Sequence, residues 1–134
     1  MTEIEKTEKI TINLGPVDLG QIDLLVQEGF YSNRTDFIRT AIRNQLTTHA
    51  EVVKRTVARR TLVLGVQYYT RHDLEAVRAA GEMLQINVLG LASIAEDVSP
   101  ELAVATIDSI VVLGAFRASS AVKAALAGRI SGSV

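Results

Sequence analysis

Lys9-Ile10-Thr11-Ile12-Asn13-Leu14 is the stretch whose reading decides the fold. In a strand, successive side chains point to opposite faces, so Ile10, Ile12 and Leu14 share one face and Lys9, Thr11 and Asn13 the other. An isolated strand is not stable, so this one must pair with another and lay its apolar side on a core. The cover follows at once in the chain. From Pro16, acceptable at a turn or at a first helical position, the period becomes helical, with Val17, Ile22, Leu25 and Val26 recurring between Asp18, Gln21 and Asp23. Gly29 suits the stop of this helix. Ser32 reads as the N-cap of a second helix, with Asp36 in its first turn. Phe37, Ile38, Ala41, Ile42 and Leu46 form its apolar stripe, and Arg39 and Arg43 lie off it. The stripe continues through His49, Val52, Val53, Thr56 and Val57, which would carry the helix to about residue 58. Thr47-Thr48 are weak helix formers and mark the alternative, a break.

Strand, helix, Gly turn and a basic second helix opening Ser32-Asn33-Arg34-Thr35-Asp36-Phe37-Ile38-Arg39-Thr40-Ala41-Ile42-Arg43 together resemble the ribbon-helix-helix DNA-binding regulators of the MetJ/Arc/CopG type. The resemblance covers roughly residues 8–48. It implies an obligate homodimer whose two strands pair antiparallel and enter the major groove of double-stranded DNA. The base-reading positions then fall on Lys9, Thr11 and Asn13. Elementary chemistry agrees: Lys donates to guanine, Asn bonds adenine in two places, and Thr donates or accepts. The start of the second helix, at Ser32, Asn33 and Arg34, would grip a phosphate.

Charge qualifies this reading. The 134-residue chain has a net charge of −1, whereas DNA-binding domains are usually basic. Residues 1–60 carry nine Lys/Arg against eight Asp/Glu, and the remainder five against seven. Binding would therefore rest on placement and symmetry more than on bulk charge. Hydrophobic residues make up 48% and aromatics 4%, which calls for an aliphatic core. There is no Cys, which excludes disulfides and thiolate metal sites.

The second half repeats. Val63-Leu64-Gly65, Val88-Leu89-Gly90 and Val112-Leu113-Gly114 are spaced by 25 and 24 residues, and Ile86 matches Ile110. Each copy reads as a strand, a turn and a short helix, with helices over about 71–84, 99–108 and 119–130. Such units loosely resemble leucine-rich-repeat-like solenoids, although the consensus Asn of those repeats is absent; a plain βαβαβα domain is the other reading. One sheet face would carry Thr61/Ile86/Ile110 and Val63/Val88/Val112. The other would carry Leu62/Asn87/Val111 and Leu64/Leu89/Leu113. Helices on one side cover only one face. The face marked by Leu64, Leu89 and Leu113 is thus expected to meet the long helix or another subunit, and to assemble tetramers or larger species.

The expected architecture is mixed α/β: a flexible arm over 1–8, a ribbon-helix-helix DNA-binding domain over 9–58 with an extended second helix, and a β-α repeat domain over 60–134 with a parallel sheet, for oligomerisation or regulation. The expected function is a sequence-specific transcriptional regulator, a repressor, in the cytoplasm at the nucleoid. Two alternatives stand beside it: an antitoxin with a toxin partner, and a DNA-anchored scaffold that polymerises through the repeats. No enzyme activity, cofactor, metal or membrane partner is expected. His49 reads as a packing or interface residue on the stripe. His72, Asp73 and Asp97 read as helix-start residues and Ser119-Ser120 as a cap. Tyr68-Tyr69 follow a strand and read as packing at the edge, with the lining of a small-molecule site as the other reading.

Overall fold

The computed structural model describes residues 7–131, so most of the expected arm lies outside the described residues. The chain divides into two compact units, residues 7–56 and, among the described residues, 57–131.

In the first unit, residues 7–15 carry no regular secondary structure. The expected strand over 9–14 is not formed within one chain, and the physical reason is simple: this unit offers no second strand to pair with. α1 spans Pro16–Gln27, with Pro16 at its first turn behind an extended Gly15. It ends in a Schellman motif: Gly29 has φ +85, its amide donates to the Val26 carbonyl, and the Phe30 amide donates to that of Leu25. α2 spans Arg34–Thr48. Its N-cap is Asn33, not Ser32: the Asn33 side chain accepts from the Asp36 amide at 2.8 Å. Ser32 plays a supporting part, donating its own amide to Asp36 Oδ2 at 2.9 Å.

The extended second helix is two helices. The hydroxyls of Thr47 and Thr48 donate back to the carbonyls of Arg43 and Asn44. Such back-bonding weakens and bends a helix. α2 closes at His49 and α3, Ala50–Arg59, begins at the next residue. Within one chain His49 is the exposed C-cap of α2, its ring 3.3 Å from the Gln45 amide.

The second unit alternates strands and helices: β1 Val63–Tyr69, α4 Arg71–Ala79, β2 Leu84–Ile94, α5 Pro100–Thr106, β3 Ile107–Arg117, α6 Ser120–Ala125, a 3-10 turn over Ala127–Arg129, and a two-residue β4, Ile130–Ser131. The strands are all parallel in the order β1-β2-β3-β4. Val63, Val88 and Val112 align, as do Leu64, Leu89 and Leu113. Thr61 falls outside the sheet, in a turn with φ +54. The helices are shorter than the repeat pattern implied and the central strands longer. At the end of α5, for example, the buried Thr106 hydroxyl bonds the Leu102 carbonyl, and β-branched Ile107 already has extended dihedrals.

Ile86, Val88, Ile110 and Val112 from one sheet face pack with Leu74, Val98, Leu102, Val122 and Leu126 into a dry aliphatic core. Each helix has a side-chain cap. Thr70 and Asp73 form a reciprocal capping box on α4, and Ser99 and Ser119 cap α5 and α6. Asp97 thus precedes its helix, where its carboxylate lies 3.8 Å from Arg71. Arg129 ties the last repeat down by donating to the carbonyls of Val104 and Ile107 at 2.6 and 2.7 Å.

The repeated glycine has a specific cause. Gly65, Gly90 and Gly114 stack in register with φ of +135, +138 and +120. A Cβ on Gly90 would lie 2.2 Å from the Gly65 carbonyl oxygen, and one on Gly114 2.1 Å from that of Gly90. At Gly65, on the sheet edge, the same position meets open space.

Candidate nucleic-acid interface

Lys9, Thr11 and Asn13 are all exposed, and so are the apolar residues that alternate with them, Ile10, Ile12 and Leu14. Ile42 and Leu46 on α2 are exposed as well. In the three helices of this region Ile22 is the single buried residue, at 6% exposure. Beside it, Leu14, Asp18, Gln21, Ile22, Leu25 and Phe37 line a hollow of about 360 Å³. Tyr31 meets Phe37 edge-on, 5.0 Å between centroids. The apolar stripes read from the sequence are thus present, but one chain does not cover them.

The start of α2 is a polar knot. Arg34 Nε and Nη2 donate to the two carboxylate oxygens of Asp23 on α1, at 2.8 and 2.9 Å. This fork holds the Asp23 carboxyl below the usual carboxylate range, chiefly through the hydrogen bond from Arg34, and raises Arg34 further above its already high value. It also sets the start of α2 against the middle of α1. Asp36, through Asn33 and Ser32, fixes the turn that precedes it. The structure therefore brings Ser32, Asn33 and Arg34 together with Asp36, read from the sequence as a first-turn residue, and with Asp23, which the sequence reading left unassigned at this site. Asp36 had a signal, its Asn-x-x-Asp spacing from Asn33. Asp23, eleven residues from Arg34, had none.

In the second unit, Leu64 is exposed, whereas Leu89 and Leu113 are half-buried. Tyr69 packs on the core, and its burial pushes its hydroxyl pKa up. Tyr68 lines a polar hollow of about 310 Å³ with Thr70, Arg71, His72, Glu75, Ala95 and Asp97. There the Thr70 amide and hydroxyl hold the Asp73 carboxyl below its usual range. Among the described residues no cluster of three metal-ligating side chains occurs, and no helix is long and apolar enough to cross a membrane.

Comparison with known proteins supplies the family. Over 40 residues the chain is 42% identical to an uncharacterized protein of Methanocaldococcus jannaschii, covering 30% of this chain and 41% of that protein. The chain thus matches less than half the length of that relative. No solved structure matches it. The ribbon-helix-helix transcriptional regulator family matches residues 5–123, a span that takes in the helical unit and the sheet as far as α6. Regulators of this kind bind DNA and typically dimerise, and theirs is not an enzyme family. The chain belongs to the ribbon-helix-helix transcriptional regulators.

Proposed function

We propose that the protein is a sequence-specific repressor that reads the major groove as an obligate homodimer. Residues 9–14 of two copies pair as an antiparallel ribbon. Ile10, Ile12 and Leu14 then face the shared core, filling the hollow beside Ile22, and Lys9, Thr11 and Asn13 face base edges. The observation that carries this reading is the single buried side chain in the helices of the N-terminal unit, set against its exposed, regularly alternating apolar residues. Fifty residues do not fold on so small a core, and a second copy is the economical completion.

Ser32, Asn33 and Arg34 take the phosphate role. The amides of Arg34 and Thr35 open α2, and the guanidinium retains N–H groups beyond the two given to Asp23. Residues 9–58 act as the reading domain and 60–134 as the assembly domain. Through a surface that includes Leu64, Leu89 and Leu113, dimers join so that several ribbons act on adjacent half-sites. Linked sites bind far more tightly through effective concentration, which offsets the weak net charge. Such a regulator works in the cytoplasm, at the nucleoid.

Selection of bound sequences from a random DNA pool tests the reading. The wild type should enrich two inverted half-sites. Lys9→Ala and Asn13→Ala should each lose about 1–3 kcal/mol of base discrimination, with circular dichroism unchanged. Enrichment of the same motif to the same degree by the variants would refute the base-reading role.

A further inference from the structure

The apolar surface of the sheet is unevenly spread. On the face away from the α4–α6 side, Leu91 and Ser93 of β2 are already buried. The exposure concentrates on β1, where Val63, Leu64, Val66 and Tyr68 are 45, 68, 53 and 46% exposed. Val63 lies on the core side of the sheet and the other three on the opposite side, so the feature they share is the edge. Among the described residues β1 pairs with β2 alone. Its sequence, Val63-Leu64-Gly65-Val66-Gln67-Tyr68-Tyr69, contains no charge and no Pro. Single-chain proteins commonly blunt such an edge with Lys, Pro, a bulge or a short strand, because its free backbone groups template pairing with another chain. At the opposite edge, the described β4 pairs only with Ile110 and Val111, and β3 runs on to Arg117 beyond it.

We infer that β1 is an intersubunit strand, pairing antiparallel with β1 of a second copy of this chain to fuse two four-stranded sheets into one of eight. This inference rests on the assembly role proposed above for the sheet domain, and it moves the contact from the face to the edge. A second copy is favoured over a foreign strand for two reasons. The family dimerises, so each dimer presents two β1 edges, and pairing between dimers joins them as the assembly role requires. An antiparallel edge pair is also self-complementary and closes on itself. Full-length pairing of a seven-residue strand places its midpoint, Val66, opposite itself. It sets Leu64 opposite Tyr68 and Val63 opposite Tyr69, aliphatic–aromatic pairs of the kind that stabilise antiparallel ladders.

The chain has no Cys, so single substitutions report without background. Val66→Cys in the full-length protein, treated with a short bis-maleimide, should give a covalent dimer as the major product. Leu64→Cys and Tyr68→Cys should each link poorly alone, since identical positions would sit roughly 14 Å apart at the rise of a strand. Mixed one to one, they should link at least several-fold better. Linking by Leu64→Cys alone as readily as by Val66→Cys would overturn the register. Linking confined to Leu89→Cys and Leu113→Cys would overturn the edge in favour of the face. Thr11→Cys serves as the separate report on the N-terminal ribbon. If it links and no β1 position does, the edge inference fails and the ribbon stands; if β1 links and Thr11→Cys does not, the ribbon fails and the edge stands.

Discussion

The two halves of this molecule solve the burial problem in opposite ways. The sheet unit closes its core within one chain, even though its β1 edge stays exposed: a ring of aliphatic side chains comes from two long strands and three capped helices. The helical unit has its backbone in order, with a Schellman stop, an Asn cap and an inter-helix ion pair, yet its helices bury one side chain. Local rules are satisfied in both, and burial in only one. Local structure is therefore a poor guide to whether a unit can stand alone. The unit that buries so little is the one proposed above to read base edges through residues 9–14, so assembly and recognition are expected to be one event.

The largest expected effect sharpens the self-sufficient side. Gly90→Ala places a Cβ against a backbone carbonyl that cannot give way, in a conformation that L residues avoid. Strain and overpacking together are worth roughly 3–5 kcal/mol, read as the shift of the sheet unit's denaturation midpoint. Gly65→Ala meets nothing within its own chain and should cost only the strain, about 1–2 kcal/mol, in the dissociated protein. Equal losses at the two positions would show that the column packs alike at edge and centre.

Ile12→Ala tests the other side. A residue that is only surface should tolerate truncation within about 0.5 kcal/mol. In a completed two-chain core it should cost about 2–3 kcal/mol, toward the low end for isoleucine because a ribbon lies near the surface. Unfolding of the N-terminal unit should also depend on protein concentration. A loss independent of concentration would break the comparison.

The smallest effect concerns Asp23. Its carboxyl is held down by Arg34, so the pair adds stability above the unfolded carboxylate value, near about pH 4. That contribution disappears as pH falls through the lowered folded value. Because both groups are exposed, the contribution is small. Asp23→Asn should be slightly less stable than the wild type at neutral pH, with the gap closing in acid. A gap constant from pH 7 to pH 2 would assign the effect to packing instead.

Much of this was legible in the residues, for reasons that can be stated. The Val-Leu-Gly repeat marked three aligned strands because the same backbone conformation needs the same glycine three times. Gly29 and Ser119-Ser120 marked helix ends through local chemistry. The reading failed where a contact spans the chain or competes locally. Arg34 meets Asp23, and Arg129 reaches carbonyls more than twenty residues away, with no spacing signal for either. Ser32 and Asn33 are both good caps, and only the position of Asp36 decides between them. β4, two residues without the repeated tripeptide, was not anticipated. The concentration of exposed apolar residues on β1 depends on which strand is the edge, and the repeats alone do not say.

The central claim is that residues 9–14 become a strand only through a second copy. Amide hydrogen exchange on this segment in the full-length protein, without DNA, tests it most directly. The account predicts protection of alternate amides in 9–14 by at least a hundredfold over an unstructured peptide, lost on dilution below the dimer dissociation constant. Exchange of the whole segment at the free-peptide rate, in a protein that is dimeric under the same conditions, would contradict it.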